Sequence, residues 1–202
     1  MTSKPIEFHF DFSSPYSYLA SEQIEPIAAR YGRTVEYKPL LLGAVFKLAK
    51  SAPLTEQYGP KARYSVRDFE RSAHFAGVPY RQPSRFPIGS VAAKRGVVWL
   101  QQHRPELVAP FVHAVYRAFF VDDRDISDSA VVGDIAREVG IDPAEFGAGI
   151  QQPEIKERLR VQVDQAIAAG IFGAPAIVVD GELFWGNDRL PQIERWLEKG
   201  PF

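Results

Sequence analysis

Polar and apolar residues alternate with period two over Ile6-Glu7-Phe8-His9-Phe10-Asp11-Phe12, as in a strand with one face better buried than the other. The alternation breaks at Ser14-Pro15-Tyr16-Ser17. Beyond it, Ala20, Ile24, Ile27, Ala28 and Tyr31 recur on one helical face as far as Gly32, so a helix follows the strand. Ser14 suits its N-cap, and Pro15 suits the first helical position because the N–H it lacks has no intrahelical partner there anyway. Pro26 falls inside the helix and predicts a kink, since a proline removes one backbone hydrogen bond. Thr34-Val35-Glu36-Tyr37-Lys38-Pro39 reads as a second strand and closes a βαβ unit.

Past Leu42 the pattern is helical for more than half the chain. Val108, Phe111, Val112, Val115, Tyr116 and Phe119 form a continuous apolar stripe, which marks the span 107–121 as a core helix. A second helix is predicted over 129–139, closed by Gly140, and a third starts at Asp142-Pro143-Ala144-Glu145 with a cap, a first-turn proline and a capping-box glutamate. Pro53, Pro60, Pro79, Pro83 and Pro87 mark a looser stretch ahead of these helices, where loops can carry function. After Gly170 the strand signal returns: Ala176–Val179 and Glu182–Trp185 flank Asp180-Gly181, a hairpin signature. A last helix follows, with Leu190, Ile193, Trp196 and Leu197 facing inward. The predicted order is βαβ, helical insertion, ββα: an α/β domain from residues 1–42 and 170–202, interrupted by an inserted helical domain over 43–169.

Composition narrows the function classes. Lys plus Arg is 24 against Asp plus Glu 25, so no global field recruits nucleic acid or an anionic membrane. The absence of cysteine excludes structural disulfides, thiolate metal sites and redox exchange through the protein's own sulfur, and no metal site is expected. No apolar signal core opens the chain and no run of about 18 apolar residues occurs in it, so the cytoplasm is the expected location.

The strand-to-helix junction is the natural place for chemistry. The first turn of a helix exposes backbone N–H groups without partners, and the helix dipole adds about half a positive charge there, so an anion docked at Ser14 is stabilised. Phe172-Gly173-Ala174-Pro175, entering the third strand, is a second ligand-facing loop on the same sheet. On local grounds its X–Pro bond reads as trans, since only about 5–6% of such bonds in folded proteins are cis.

These two segments together carry a resemblance. A strand ending in Asp-Phe-Ser-Ser-Pro-Tyr-Ser-Tyr-Leu, a helical insertion, and then Phe-Gly-Ala-Pro-Ala-Ile-Val-Val-Asp-Gly-Glu-Leu-Phe-Trp-Gly-Asn-Asp-Arg resembles the 2-hydroxychromene-2-carboxylate isomerase family, relatives of kappa-class glutathione transferases and of DsbA. The resemblance spans nearly the whole chain and implies a thioredoxin-like domain with a large all-helical insertion and glutathione in the cleft between them. Ser14 matches the family's catalytic serine, where a DsbA-like protein keeps its attacking cysteine, and Ser17 falls where the second cysteine would be. Pro15 and Tyr16 complete that glutathione-binding turn. Pro175 matches the family's cis-proline, which reverses the local reading, and Ala174 would offer its backbone to the cysteinyl part of glutathione like an added strand. Asn187 and Asp188 match residues that hold the γ-glutamyl end; read alone, they are equally well N-caps of the last helix.

Activation of the bound thiol is physically within reach. A thiol with a pKa near about 8.5 needs a drop of one or two units, worth about 1.4 kcal/mol each, to ionise well at neutral pH. A hydrogen bond from Ser14 to a charged sulfur supplies roughly 1.5–3 kcal/mol, and a helix N-terminus up to about 2. No motif ties His9, His74, His103 or His113 to Ser14, so the serine is expected to act as hydrogen-bond donor rather than as nucleophile.

By the same resemblance Lys47 lies in the substrate region, where a cation would hold a carboxylate; its bland reading is a solvated lysine. Ser51 stands where relatives often have asparagine, Gly89 replaces another asparagine, and Arg85 is a further candidate for an anionic substrate or simply an exposed loop arginine. Trp185 reads as a packing residue at the cleft wall. The implied activity is glutathione-dependent isomerisation of 2-hydroxychromene-2-carboxylate or a similar ring-opened aromatic acid, in a homodimer. The alternatives are a kappa-like transferase or peroxidase, and a non-catalytic glutathione or small-acid binding module.

Overall fold

In the computed structural model, residues 4–48, 52–56 and 58–202 are described. β1 (Ile6–Phe10) pairs in parallel with β2 (Val35–Pro39), Phe8 opposite Tyr37, and α1 (Pro15–Arg30) makes the crossover between them. On its other side β1 pairs antiparallel with β3 (Ala176–Val179), Phe8 opposite Ile177, and β4 (Glu182–Trp185) closes the sheet in the order β2-β1-β3-β4. This is the thioredoxin arrangement. Asp180 and Gly181 have φ of 54° and 94°, the pair of left-handed residues that a tight hairpin of matching twist demands.

Between β2 and β3 run α2 (Leu42–Leu48), α3 (Gly59–Ala76), α4 (Val91–His103), α5 (Val108–Phe120), α6 (Ser129–Glu138), α7 (Pro143–Gly149) and α8 (Pro153–Ala168). The chain ends on α9 (Leu190–Lys199), preceded by a 3-10 turn at Asn187–Arg189. Asp142 caps α7 by accepting from the N–H groups of Ala144 and Glu145. The Glu145 carboxylate leaves the capping box to pair with Arg104.

Two elements differ from the sequence expectation. β1 ends at Phe10 rather than Phe12, because Asp11 turns its carboxylate inward to accept from the N–H groups of Ser13 and Leu42. The proline-marked stretch ahead of α4 contains α3, a full helix in which Pro60 sits in the first turn. Only Ser65, Phe69 and Ala73 of α3 are buried, too narrow a stripe to stand out among its charges. α1 is continuous through Pro26.

One buried cluster runs from Phe8, Phe10 and Tyr37 of the sheet through Phe111, Tyr116 and Phe119 of α5 to α4 and α6. α4 and α8 both pack against β2, so the inserted helices and the sheet share their core. The division at 42/43 and 169/170 is proposed as a division of the chain, on the order of its elements. Among the described residues no helix is long and apolar enough to cross a membrane.

Candidate active site

Ser14 is the N-cap of α1. Its Oγ accepts from the Ser17 N–H at 3.1 Å and donates to the Ala174 carbonyl at 3.3 Å, and the residue is almost fully buried. The first turn of α1 carries no acidic side chain of its own to offset its positive end. The Ala174–Pro175 peptide is cis, in line with the resemblance and against the local reading, and the Pro175 carbonyl accepts from the Gly186 N–H at 3.0 Å. A second cis bond joins Phe86 and Pro87, in the loop where Ile88 N–H donates to Ser13 Oγ at 3.0 Å.

Ser14, Pro15, Tyr16, Ala174 and Pro175 line a cleft of about 1460 Å³, and Asn187 and Asp188 line it from the end of β4. Neither of these last two caps α9: its N-cap is Arg189, without a side-chain bond, and the 3-10 turn before it is also uncapped. Their bland reading therefore fails. Asp188 is exposed, with the Arg189 guanidinium 3.4 Å away. Gly186, at φ 111°, permits this turn, since a Cβ there would lie 2.4 Å from Asp188 Oδ1. Trp185 crosses over Gly173 and packs on Phe172 at 5.1 Å between ring centres; both aromatics line the cleft and are half exposed.

Lys47 is exposed at the end of α2 and lines the same cleft. Ser51 lies outside the described residues. Arg85 is not among the cleft-lining residues, because its guanidinium pairs with Asp125. Ser17 is fully buried and likewise off the cleft. None of the four histidines lines it; His9, on β1, is buried, and burial depresses its pKa against the raising effect of Glu7.

Lys94, Asp68 and Ser90 were not singled out from the sequence. Lys94, on α4, reaches Asp11 Oδ2 at 2.6 Å, and both side chains are almost wholly buried while lining the cleft. Tyr16 donates to Asp68 Oδ2 on α3 at 2.6 Å, and burial, then this carboxylate, push its phenol far above the usual tyrosine range. Ser90, at the start of α4, lines the cleft with its Oγ buried and unpartnered. The partners are separated by 83 residues for Lys94 and Asp11 and 52 for Tyr16 and Asp68, so no local spacing announces them.

The fold and this turn-plus-cis-proline site define a thioredoxin-fold protein, and residues 5–198 match the family model of the DSBA-like thioredoxin domain. Over 196 residues the chain is 31% identical to a 2-hydroxychromene-2-carboxylate isomerase of Sphingobium xenophagum, covering 96% of this chain and 98% of that one. It is 28% identical to a kappa 2 glutathione S-transferase of Caenorhabditis elegans, over 98% and 95% of the two chains. A solved 2-hydroxychromene-2-carboxylate isomerase superposes with a TM-score of 0.85 at 26% identity, covering 96% of this chain and 94% of that one. The chain belongs to the 2-hydroxychromene-2-carboxylate isomerase family of DsbA-like thioredoxin proteins.

Proposed function

We propose that the protein is a glutathione-dependent isomerase of 2-hydroxychromene-2-carboxylate or a similar ring-opened aromatic acid. The observation that carries this reading is the buried Ser14 hydroxyl, held between the open N-terminus of α1 and the Ala174 carbonyl in a chain without cysteine. The residues present fit a thiol peptide. Among the described residues no partner accepts from the Ala174 N–H, which can therefore donate to an extended backbone laid along the loop. The Asn187 amide and Asp188 carboxylate supply hydrogen bonds and a counter-charge for an ammonium and carboxylate end.

Glutathione, when bound, supplies a thiolate whose reversible addition to a conjugated carbon and subsequent elimination interchange double-bond geometry with no net oxidation. Ser14 donates to that sulfur instead of to Ala174, and α1 stabilises the negative charge. Pro15 fixes the first turn, and Tyr16, anchored on Asp68, holds α3 against it. Lys47, an exposed cation lining the cleft, attracts the anionic acid.

Turnover of 2-hydroxychromene-2-carboxylate with glutathione followed by thiol quantitation tests the reading: an isomerase returns all free thiol. The relationship to the kappa transferase favours a second reading, in which the same site forms a glutathione conjugate and free thiol falls in step with substrate. As in the family resemblance, we extend the reading to a homodimer in the cytoplasm, which sedimentation and fractionation test.

A further inference from the structure

The first turn of α4 lines the cleft and carries three features that bear on a ligand. Ser90, its N-cap residue, makes no side-chain cap; its Oγ is buried without a partner and the residue is only 1% exposed. A buried hydroxyl with no partner forfeits the hydrogen bonds it had in water, and in native proteins such a group calls for an explanation. The N–H groups of Val91, Ala92 and Ala93 open the helix with no acidic residue in the first turn to meet them. One turn further in, the Lys94 ammonium is buried against the cleft, using one of its donors on Asp11 Oδ2.

Asp11 balances the charge of Lys94 but does not take up the remaining hydrogen-bond donors at this end. Its carboxylate is already shared among Ser13 N–H on Oδ1, and Leu42 N–H and Lys94 on Oδ2. The lysine is thereby fixed in place with donors to spare. A hydroxyl, a helix N-terminus and a fixed ammonium form a receptor for a planar anion with two acceptor oxygens.

We infer that the N-terminus of α4, with Ser90 and Lys94, is the seat of the carboxylate of the acid substrate, in place of the exposed Lys47. The inference rests on the small-acid reading of this cleft but not on glutathione. Seated there, the acid lies in the same cleft as Ser14, with Ser13 bridging the two sides through Ile88. Gly89, just before Ser90, leaves open space where a Cβ would stand, so bulk next to the carboxylate is accommodated.

The test compares two probes that share a conjugated ketone: benzylidenepyruvate, which carries a carboxylate, and benzylideneacetone, which does not. Binding is read by quenching of tryptophan fluorescence without glutathione, and glutathione binding is measured separately by calorimetry. The wild-type protein is expected to bind the acid at least about tenfold more tightly than the neutral ketone, as a charge-assisted contact of this kind allows. Ser90→Asp places an anion at the seat, so the acid preference is expected to vanish, and a melting curve beside the titration checks that the variant is folded. Ser90→Ala is expected to lower the preference several-fold. Equal binding of the two probes by wild type, or an acid preference that survives Ser90→Asp and disappears in Lys47→Ala, overturns the inference. A preference that follows Ser90 in a protein that shows no heat of glutathione binding supports the seat and rejects the glutathione reading instead.

Discussion

The Lys94 ammonium lies 2.6 Å from Asp11 Oδ2, an ion pair that ties α4 to the residue at which β1 turns toward Ser14. With both side chains nearly inaccessible, removal of either leaves an uncompensated buried charge. Asp11→Ala is expected to destabilise the protein by about 3–5 kcal/mol in urea denaturation. Asp11→Ala combined with Lys94→Met is expected to recover part of that loss, because a paired deletion strands no charge. Additive losses in the double variant would show that the two residues act separately.

Asp188 separates binding from folding. Because it caps no helix and is exposed, Asp188→Ala is expected to change stability by no more than about 0.5 kcal/mol. The same change is expected to raise the glutathione dissociation constant about tenfold, the effect of one charge-assisted contact. Calorimetric titration beside a thermal melt reads both quantities, and an unaltered dissociation constant removes Asp188 from the site.

His113 makes a pH-dependent clamp between α5 and α1. Its Nδ1 and Nε2 each lie 2.7 Å from a carboxylate oxygen, of Glu22 and Glu25 respectively. Burial works against the charged ring, but the two glutamates outweigh it and hold the pKa at about 9, above the ordinary 6.5. A folded-state pKa above the unfolded one stabilises the protein fully below pH 6.5, and that contribution is lost as pH rises through about 9. His113→Gln is therefore expected to lower the melting temperature at pH 6 and to make little difference at pH 10. An equal loss at both values would mean that packing, not charge, is what His113 contributes.

The legible parts of this molecule are those encoded by neighbours in the chain. Asp180-Gly181 fixed the hairpin and both its strands, because a tight turn needs those residue types in sequence. Ser14 and Pro15 marked the start of α1 for the same reason. The cis form of the Ala174–Pro175 bond followed from the family pattern and not from its local residues. α3 escaped because prolines read as loop markers also serve first helical turns, and because its buried face is only three residues wide. Lys94 and Asp11 escaped because each looks like a surface charge until α4 packs against the sheet and brings the two together. Arg85 was drawn into the site by its loop, but Asp125 holds it elsewhere.

The central claim is that Ser14 and the N-terminus of α1 activate a thiol the protein does not itself possess. Ser14→Ala removes the N-cap at a cost of about 1 kcal/mol, so the fold survives and much of the glutathione affinity is expected to remain. Ultraviolet titration of the thiolate of bound glutathione reads the claim without substrate. In the wild-type complex the thiol is expected to ionise one to two units below its ordinary value of about 8.5, and in Ser14→Ala to return most of the way, with turnover falling by orders of magnitude. A bound thiol that titrates at its ordinary value in the wild-type protein, or one whose depressed value is unmoved by Ser14→Ala, would contradict it.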